Sequence, residues 1–285
     1  MRKERAMALS EDRKVYLREL CAKFRDTLID ILYKAQSGHP GGSLSATEII
    51  TTLYFEKMKI DPKNPQCEDR DRFIMGKGHG APMLYINLAE KGFFPVSDLQ
   101  SLRQFGSHLQ GHPSAKNTPG VELSTGPLGL GLGAGIGMAM GAKLDKKDFY
   151  TYVLMGDGEI QEGIIWEAAM AAGKFKLDNL IGILDYNGVQ LDGTIDQIMP
   201  LGDVKAKWEA FGWKTIVIDG HDIQAVSDAV DEAKTHKGRG APVIIIAKTV
   251  KGKGVSFMEG KNSWHGQPIS ADNYKAAKAE LAGGK

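Results

Sequence analysis

Two short segments in this sequence carry residues suited to holding a metal and a phosphate. Gly156-Asp157-Gly158-Glu159 follows an apolar run, Tyr152-Val153-Leu154-Met155. Asn187 follows a second run, Leu180-Ile181-Gly182-Ile183-Leu184. Asp157 offers a carboxylate and Asn187 an amide oxygen, and the main-chain carbonyl of Val189 could add a third oxygen. An oxygen-only, incomplete shell suits Mg²⁺ or Ca²⁺, with water and substrate phosphates completing it. Gly156 and Gly158 let the backbone turn sharply and approach a ligand. A helix running on from Gly158 to Lys174 would point its N-terminus at a diphosphate. Gly-Asp-Gly alone reads as a turn. It is Asn187, about thirty residues later with a helix and a strand between, that makes it a metal-diphosphate motif.

Both segments need a frame that brings them to one edge. The two apolar runs read as buried parallel strands, and ligands bind beyond the carboxyl ends of such strands. Arg72 to Met75, Thr215 to Ile218 and Val243 to Ala247 read as three more strands. Ser10 to Gln36 has apolar residues at helical spacing, among them Val15, Leu17, Leu20, Phe24, Leu28, Ile31 and Leu32. Ala81 to Lys91 reads as a helix, and Asp222 as the cap of one running to His236. Ser45-Ala46-Thr47-Glu48 and Ser97-Asp98-Leu99-Gln100 have the form of capping boxes. Gly129, Gly133, Gly137 and Gly141 would form one smooth stripe on a helix, letting another backbone pack close. The alternation of strands and helices predicts an α/β fold: a parallel sheet flanked by helices on both faces. With no repeat or low-complexity linker, residues 1–285 read as a single domain.

Four of the seven histidines stand out. His39, His79, His112 and His265 lie in glycine-flanked loops beside the metal-diphosphate motif. Neutral imidazole can donate to phosphate or hydroxyl oxygens and accept from a sugar hydroxyl. His221 and His236 lack that setting and read as surface residues. His108 has no assignment.

Taken together, these segments resemble the thiamine-diphosphate enzymes, and transketolase more than other members. The blocks Ser37-Gly38-His39-Pro40-Gly41, Gly78-His79, Gly111-His112-Pro113, Gly126-Pro127-Leu128-Gly129, Gly156 to Asn187 and His265-Gly266 run in family order across nearly the whole chain. Two departures are Tyr186, where a first Asn is usual, and Leu130, where Gln is usual. The resemblance implies a diphosphate-binding (PP) fold that holds thiamine diphosphate and Mg²⁺ (or Ca²⁺). It implies that Asp157, Asn187 and the Val189 carbonyl hold the metal. Gly156, Gly158, Glu159 and Asn187 would contact the cofactor, Gly126, Pro127 and Leu128 would line its rings, and Leu191 would lie on the thiazolium. His39 and His112 would contact sugar hydroxyls, while His79 and His265 would touch the diphosphate or the reacting carbons. All four histidines are thereby candidates for catalysis.

Transketolases move a two-carbon ketol unit from a ketose phosphate to an aldose phosphate, as in pentose phosphate metabolism. They are roughly twice this length, and this sequence resembles only their first domain. It therefore resembles the N-terminal subunit of a split transketolase. A separate C-terminal subunit would carry the PYR and C-terminal domains, the catalytic Glu and most sugar-phosphate contacts, most simply in a heterotetramer. Glu162 and Glu167 read as buried acids at a subunit interface or as plain helix residues. The other readings are a subunit of another thiamine-diphosphate enzyme (a ketol-acid synthase or an oxo-acid dehydrogenase α chain) and a non-catalytic cofactor-binding regulator.

Composition narrows the setting. The 285 residues are 42% hydrophobic and 25% charged with a formal net charge of +1, an ordinary soluble balance that provides no basic field for nucleic acid. Met1 to Arg5 is charged but no apolar segment of a secretory signal follows. Leu123 to Ala142 lacks charge, yet its glycines and Pro127 argue against a membrane span. Cys21 and Cys67 form no metal spacing and read as reduced packing residues of a cytoplasmic protein.

Overall fold

Five runs rich in aliphatic residues pair into one parallel sheet: β1 (Arg72–Met75), β2 (Thr151–Gly156), β3 (Leu180–Tyr186), β4 (Lys214–Asp219) and β5 (Val243–Lys248). Their order is β1-β2-β3-β5-β4. The computed structural model describes residues 8–283. The charged start, Met1 to Arg5, and the final Gly284 and Lys285 lie outside them.

Both faces of the sheet are covered, so successive strand residues are buried on opposite sides. Phe73, Tyr152, Leu154, Ile181, Ile183 and Ile245 join a core formed with α1 (Glu11–Ala35), α3 (Thr47–Thr52), α4 (Ala81–Lys91) and α9 (Ile223–Lys234). Ile74, Val153, Met155, Leu184, Ile244 and Ile246 join a second core with α5 (Leu130–Leu144), α6 (Gly163–Lys174) and α8 (Val204–Ala210). The short helices α2 (Pro40–Ser45) and α7 (Ile195–Ile198) lie near the carboxyl edge, and α10 (Ala271–Gly283) packs on α1. The fold is the one expected.

Several local expectations fail for identifiable reasons. Ser45 opens no helix. It ends α2, and its hydroxyl donates to Asp185 Oδ2 at 2.6 Å. Thr47 Oγ1 bonds the Leu44 carbonyl, and Glu48 pairs with Arg25 and His221. The whole segment from Ser43 to Leu53 is buried, so tertiary partners take the side chains that a capping box would use. Ser97 to Gln100 lies in a 3₁₀ turn without a cap bond. The helix expected from Gly158 is a 3₁₀ turn, Glu159–Gln161, and α6 starts only at Gly163. Asp222 does cap α9, which ends at Lys234, before His236. Val15 is exposed.

The glycine stripe is the largest difference. A Cβ on Gly133, Gly137 or Gly141 would meet nothing within 4 Å. Close packing falls instead on Gly131 and Gly135: a Cβ would come 2.9 Å from Gly76 Cα or 2.6 Å from Val153 Cγ2. Cys21 is buried, which pushes its thiol up to about 12, and neither it nor Cys67 is in a disulfide. Among the described residues no helix is long and apolar enough to cross a membrane.

One buried ion pair locks the carboxyl edge. Lys77, just past β1, bonds Asp185 in β3 and also donates to the Gly42 carbonyl at 2.7 Å. Asp185 accepts further from Ser45 and Thr249. Burial alone would raise the Asp185 carboxyl, but Lys77 and the two hydroxyls hold it below the ordinary 3.8. Stability drawn from this group is therefore present above pH ~4 and lost as pH falls through its lower folded value. Asp185→Asn should cost about 3–5 kcal/mol in urea unfolding, because it strands a buried ammonium. Lys77→Met combined with Asp185→Asn should recover part of that loss. A cost under about 1 kcal/mol for the single change would contradict the role assigned to the pair.

Candidate active site

The sheet brings the sequence-predicted residues to its carboxyl edge. A cleft of about 220 Å³ is lined by Asp157, Asn187, Val189 and Leu191, with His79 and His265 facing them. Leu128, Gly156, Gly158 and Glu159 complete its wall. Gly126 and Pro127 are not in that lining: Gly126 lies against the His112 ring, and Pro127 is exposed.

Asp157 lies one residue past β2 and is 2% exposed. Its oxygens accept the N–H groups of Gly158 at 2.8 Å and Gly188 at 2.5 Å. Burial, helped by the like charge of Asp185, pushes its carboxyl up to about 6. A cation here would supply the counter-charge that burial makes costly to lack. Asn187 Oδ1 lies in the turn after β3, accepting the Val189 N–H at 3.1 Å. One carboxylate, one amide oxygen and one carbonyl fit a hard cation that takes its remaining ligands from a diphosphate. Among the described residues no group of three His, Cys, Asp or Glu side chains forms a metal cluster. The donor set is thus incomplete without a phosphate or water.

Glu159 is as deeply buried, and its oxygens are already committed. They accept the N–H groups of Gly156 and Gly129, each at 3.0 Å. Burial pushes its carboxyl up to about 7. The bond to Gly129 ties the start of α5 to the end of β2. Gly129 itself has φ +88°, and a side chain there would meet Ile164 Cγ2 at 2.6 Å.

The four histidines form one cluster. The His39 ring centroid lies 5.4 Å from those of His79 and His265, and 6.0 Å from that of His112. His79 and His265 are 4.9 Å apart. Burial first, then nearby cations, lower all four: His39 to about 4 and His265 to about 3. At neutral pH these rings are uncharged donors and acceptors.

Three basic residues enter the site without a sequence signal that assigned them a role. Lys77 stands between two glycines just before His79. Lys251 donates to the Val189 and Gln190 carbonyls, both at 3.1 Å, and to His265 Nδ1 at 3.0 Å. Burial, then Lys77, brings its ammonium down to about 8. Arg103 reaches His39 from the far side.

Other residues differ from expectation. His221 is not a bare surface residue: Nδ1 pairs with Glu48 at 2.9 Å, and Nε2 accepts the Val250 N–H at 2.8 Å. His236 stays apart from the cluster, half-buried. His108 pairs with Asp98 and packs edge-on to Phe94. Glu162, at the start of α6, and Glu167, within it, are exposed in the single chain, as the plain-helix alternative expects.

Comparison with known proteins bears on the fold and the family. The family model described as transketolase, thiamine diphosphate binding domain, matches residues 18–283. A subunit of the apulose-4-phosphate transketolase of Phocaeicola vulgatus is 45% identical over 261 residues, which is 91% of this chain and 92% of that protein. The 6-deoxy-6-sulfo-D-fructose transketolase subunit SqwG of a Clostridium strain is 44% identical over 257 residues, 90% of this chain and 93% of that protein. A solved transketolase from Pichia stipitis in complex with sedoheptulose 7-phosphate superposes with a TM-score of 0.88 at 33% identity. It covers 93% of this chain, whereas this chain spans only 40% of that one.

The electrostatics give a direct expectation. In an NMR titration from pH 8 to pH 5, the His39 and His265 ring resonances should stay at their neutral positions, since their pKa values lie near 4 and 3. Titration of either ring near the ordinary 6.5 would contradict the burial described.

Proposed function

The chain belongs to the transketolase thiamine diphosphate-binding domain family, and from that premise we propose that it is the N-terminal half of a two-chain transketolase. Joined to a C-terminal subunit, it transfers a two-carbon ketol unit from a ketose phosphate to an aldose phosphate. The observation that carries this reading is the meeting of Asp157, Asn187 and Val189 with His79 and His265 in one cleft. The chain's near-complete overlap with relatives named as transketolase subunits supports the two-chain form.

In this reading residues 1–285 are one diphosphate-binding domain working in the cytoplasm. Asp157, Asn187 and the Val189 carbonyl hold Mg²⁺ or Ca²⁺ against the cofactor diphosphate. Gly156 and Gly158 let the diphosphate approach, and Glu159 holds the loop. Gly126, Pro127, Leu128 and Leu191 border the rings. When bound, thiamine diphosphate supplies the electron sink that carbon–carbon cleavage and formation require. This chain's own part is to orient, to exclude water and to donate hydrogen bonds. His39 and His112 contact sugar hydroxyls, while His79 and His265 face the diphosphate and the reacting carbons.

What this chain leaves open also supports a partner. Leu132 and Ile136 are buried, but Leu128 and Leu130 beside the cleft are 37% and 49% exposed. Ile164, Leu191 and Met199 are exposed as well. Leu128 and Leu191 both line the cleft, and apolar surface left exposed at such a place supports an interaction site. A C-terminal subunit covering it would bring the acid that activates the cofactor and the groups that grip the sugar phosphate, in a heterotetramer of two copies of each chain.

Three outcomes test the reading. The purified chain with thiamine diphosphate and Mg²⁺ should show no ketol transfer, and adding the C-terminal subunit should restore it. Substantial turnover by the single chain would sink the two-chain form. Asp157→Ala should abolish metal-dependent cofactor binding by calorimetry in the assembled enzyme, with an unchanged circular dichroism spectrum. Binding as tight as wild type would mean the metal site is misassigned. His112→Ala should weaken sugar use more than cofactor affinity, and His79→Ala should weaken both, each by about 1.5–3 kcal/mol. Equal losses in His236→Ala would remove the distinction between the cluster and any other histidine.

A further inference from the structure

Arg103 combines several unusual features. Its backbone is left-handed, with φ +59°, a conformation that costs energy for a residue with a side chain and persists only when its surroundings impose it. The backbone N–H donates to the Leu109 carbonyl at 2.9 Å. The guanidinium turns back toward the cluster. Nη1 donates to Ser37 Oγ at 2.9 Å, and Nη2 reaches the Gly111 carbonyl at 3.2 Å and His39 Nδ1 at 3.3 Å. Gly111 is what lets it lie there, since a Cβ at that position would come 3.0 Å from Arg103 Cζ.

A guanidinium has only donors and does not lose its proton in proteins. A ring nitrogen facing it must therefore accept. His39 Nδ1 is then unprotonated, and the proton of the neutral ring sits on Nε2. The other groups facing this ring are His79, His112, His265 and Lys251. None of them is an acid that would draw His39 into its charged form.

We propose that Arg103 is a positioning residue: it holds His39 in the Nε2–H tautomer, so that the ring at the centre of the histidine cluster offers one fixed donor to a sugar oxygen. The sugar contact rests on the transketolase reading above. The tautomer is a property of this chain alone, which separates the two in experiment.

The measurement is long-range ¹H–¹⁵N NMR on the full chain with labelled histidine at pH 7.5. Wild type should show His39 with an unprotonated Nδ1 and a protonated Nε2. Arg103→Met, similar in length but without donors, should give a mixture of tautomers, and Arg103→Lys should restore the wild-type pattern in part. An Nδ1–H signal for His39 in wild type would overturn the proposal even if no variant folds. So would an unchanged tautomer in Arg103→Met. In the assembled enzyme, Arg103→Met should raise KM for the ketose about tenfold, with kcat within about threefold and cofactor affinity unchanged. A shifted tautomer with unchanged KM would overturn the sugar-donor role. Absence of ketol transfer in the wild-type assembly would defeat the transketolase reading and leave the tautomer assignment standing.

Discussion

The carboxyl edge depends on the ion pair between Lys77 and Asp185. These side chains are almost wholly buried. Charges so placed are tolerated only when every partner is present. The partners come from four separate stretches: Gly42 and Ser45 in α2, Lys77 after β1, Asp185 in β3 and Thr249 after β5. His39 immediately precedes α2, His79 follows Lys77 by two residues, and Lys251 follows Thr249 by two. Satisfying one buried pair thus sets the positions of three groups of the site: His79 and Lys251 in the cleft and His39 in the histidine cluster beside it. The site's geometry and the stability of this edge are the same property.

Around that pair the site divides its charges. The carboxyls of Asp157 and Glu159 are buried and bonded chiefly to backbone N–H groups. The positive charge resides on Lys77, Lys251 and Arg103, and the histidines between them stay neutral. Neutral rings held by cations are directional donors rather than proton reservoirs. The wall that would face an anionic diphosphate carries the Lys251 ammonium beside the Asp157 carboxyl, with Lys77 already paired to Asp185. The rim that would face a sugar is polar and uncharged.

Much of this was legible in the sequence because it rests on local signals. The five strands announce themselves as short aliphatic runs, and each forms close to its run. Asp157 and Asn187 were legible because each stands at the end of such a run. The four histidines were legible through their flanking glycines. What the sequence could not show was which side chains tertiary partners would claim. Ser45 and Glu48 have capping-box spacing, but Asp185 and Arg25 lie close enough to take them. Arg103, Lys251 and His221 act across 64, 14 and 173 residues of chain respectively, on His39, His265 and Glu48. No periodicity records such distances. Lys77 was in plain view inside a glycine-rich block, yet a lysine there carries no sign that it will be buried.

The smooth outer side of α5 has a consequence for how this chain can change. Gly133, Gly137 and Gly141 have room for a larger residue, and glycine inside a helix costs about 1 kcal/mol against alanine. For the isolated chain, alanine at these positions would be an improvement. A search that rewarded heat resistance of this chain alone would therefore fill the stripe early, and would leave the cleft and the ion pair as they are.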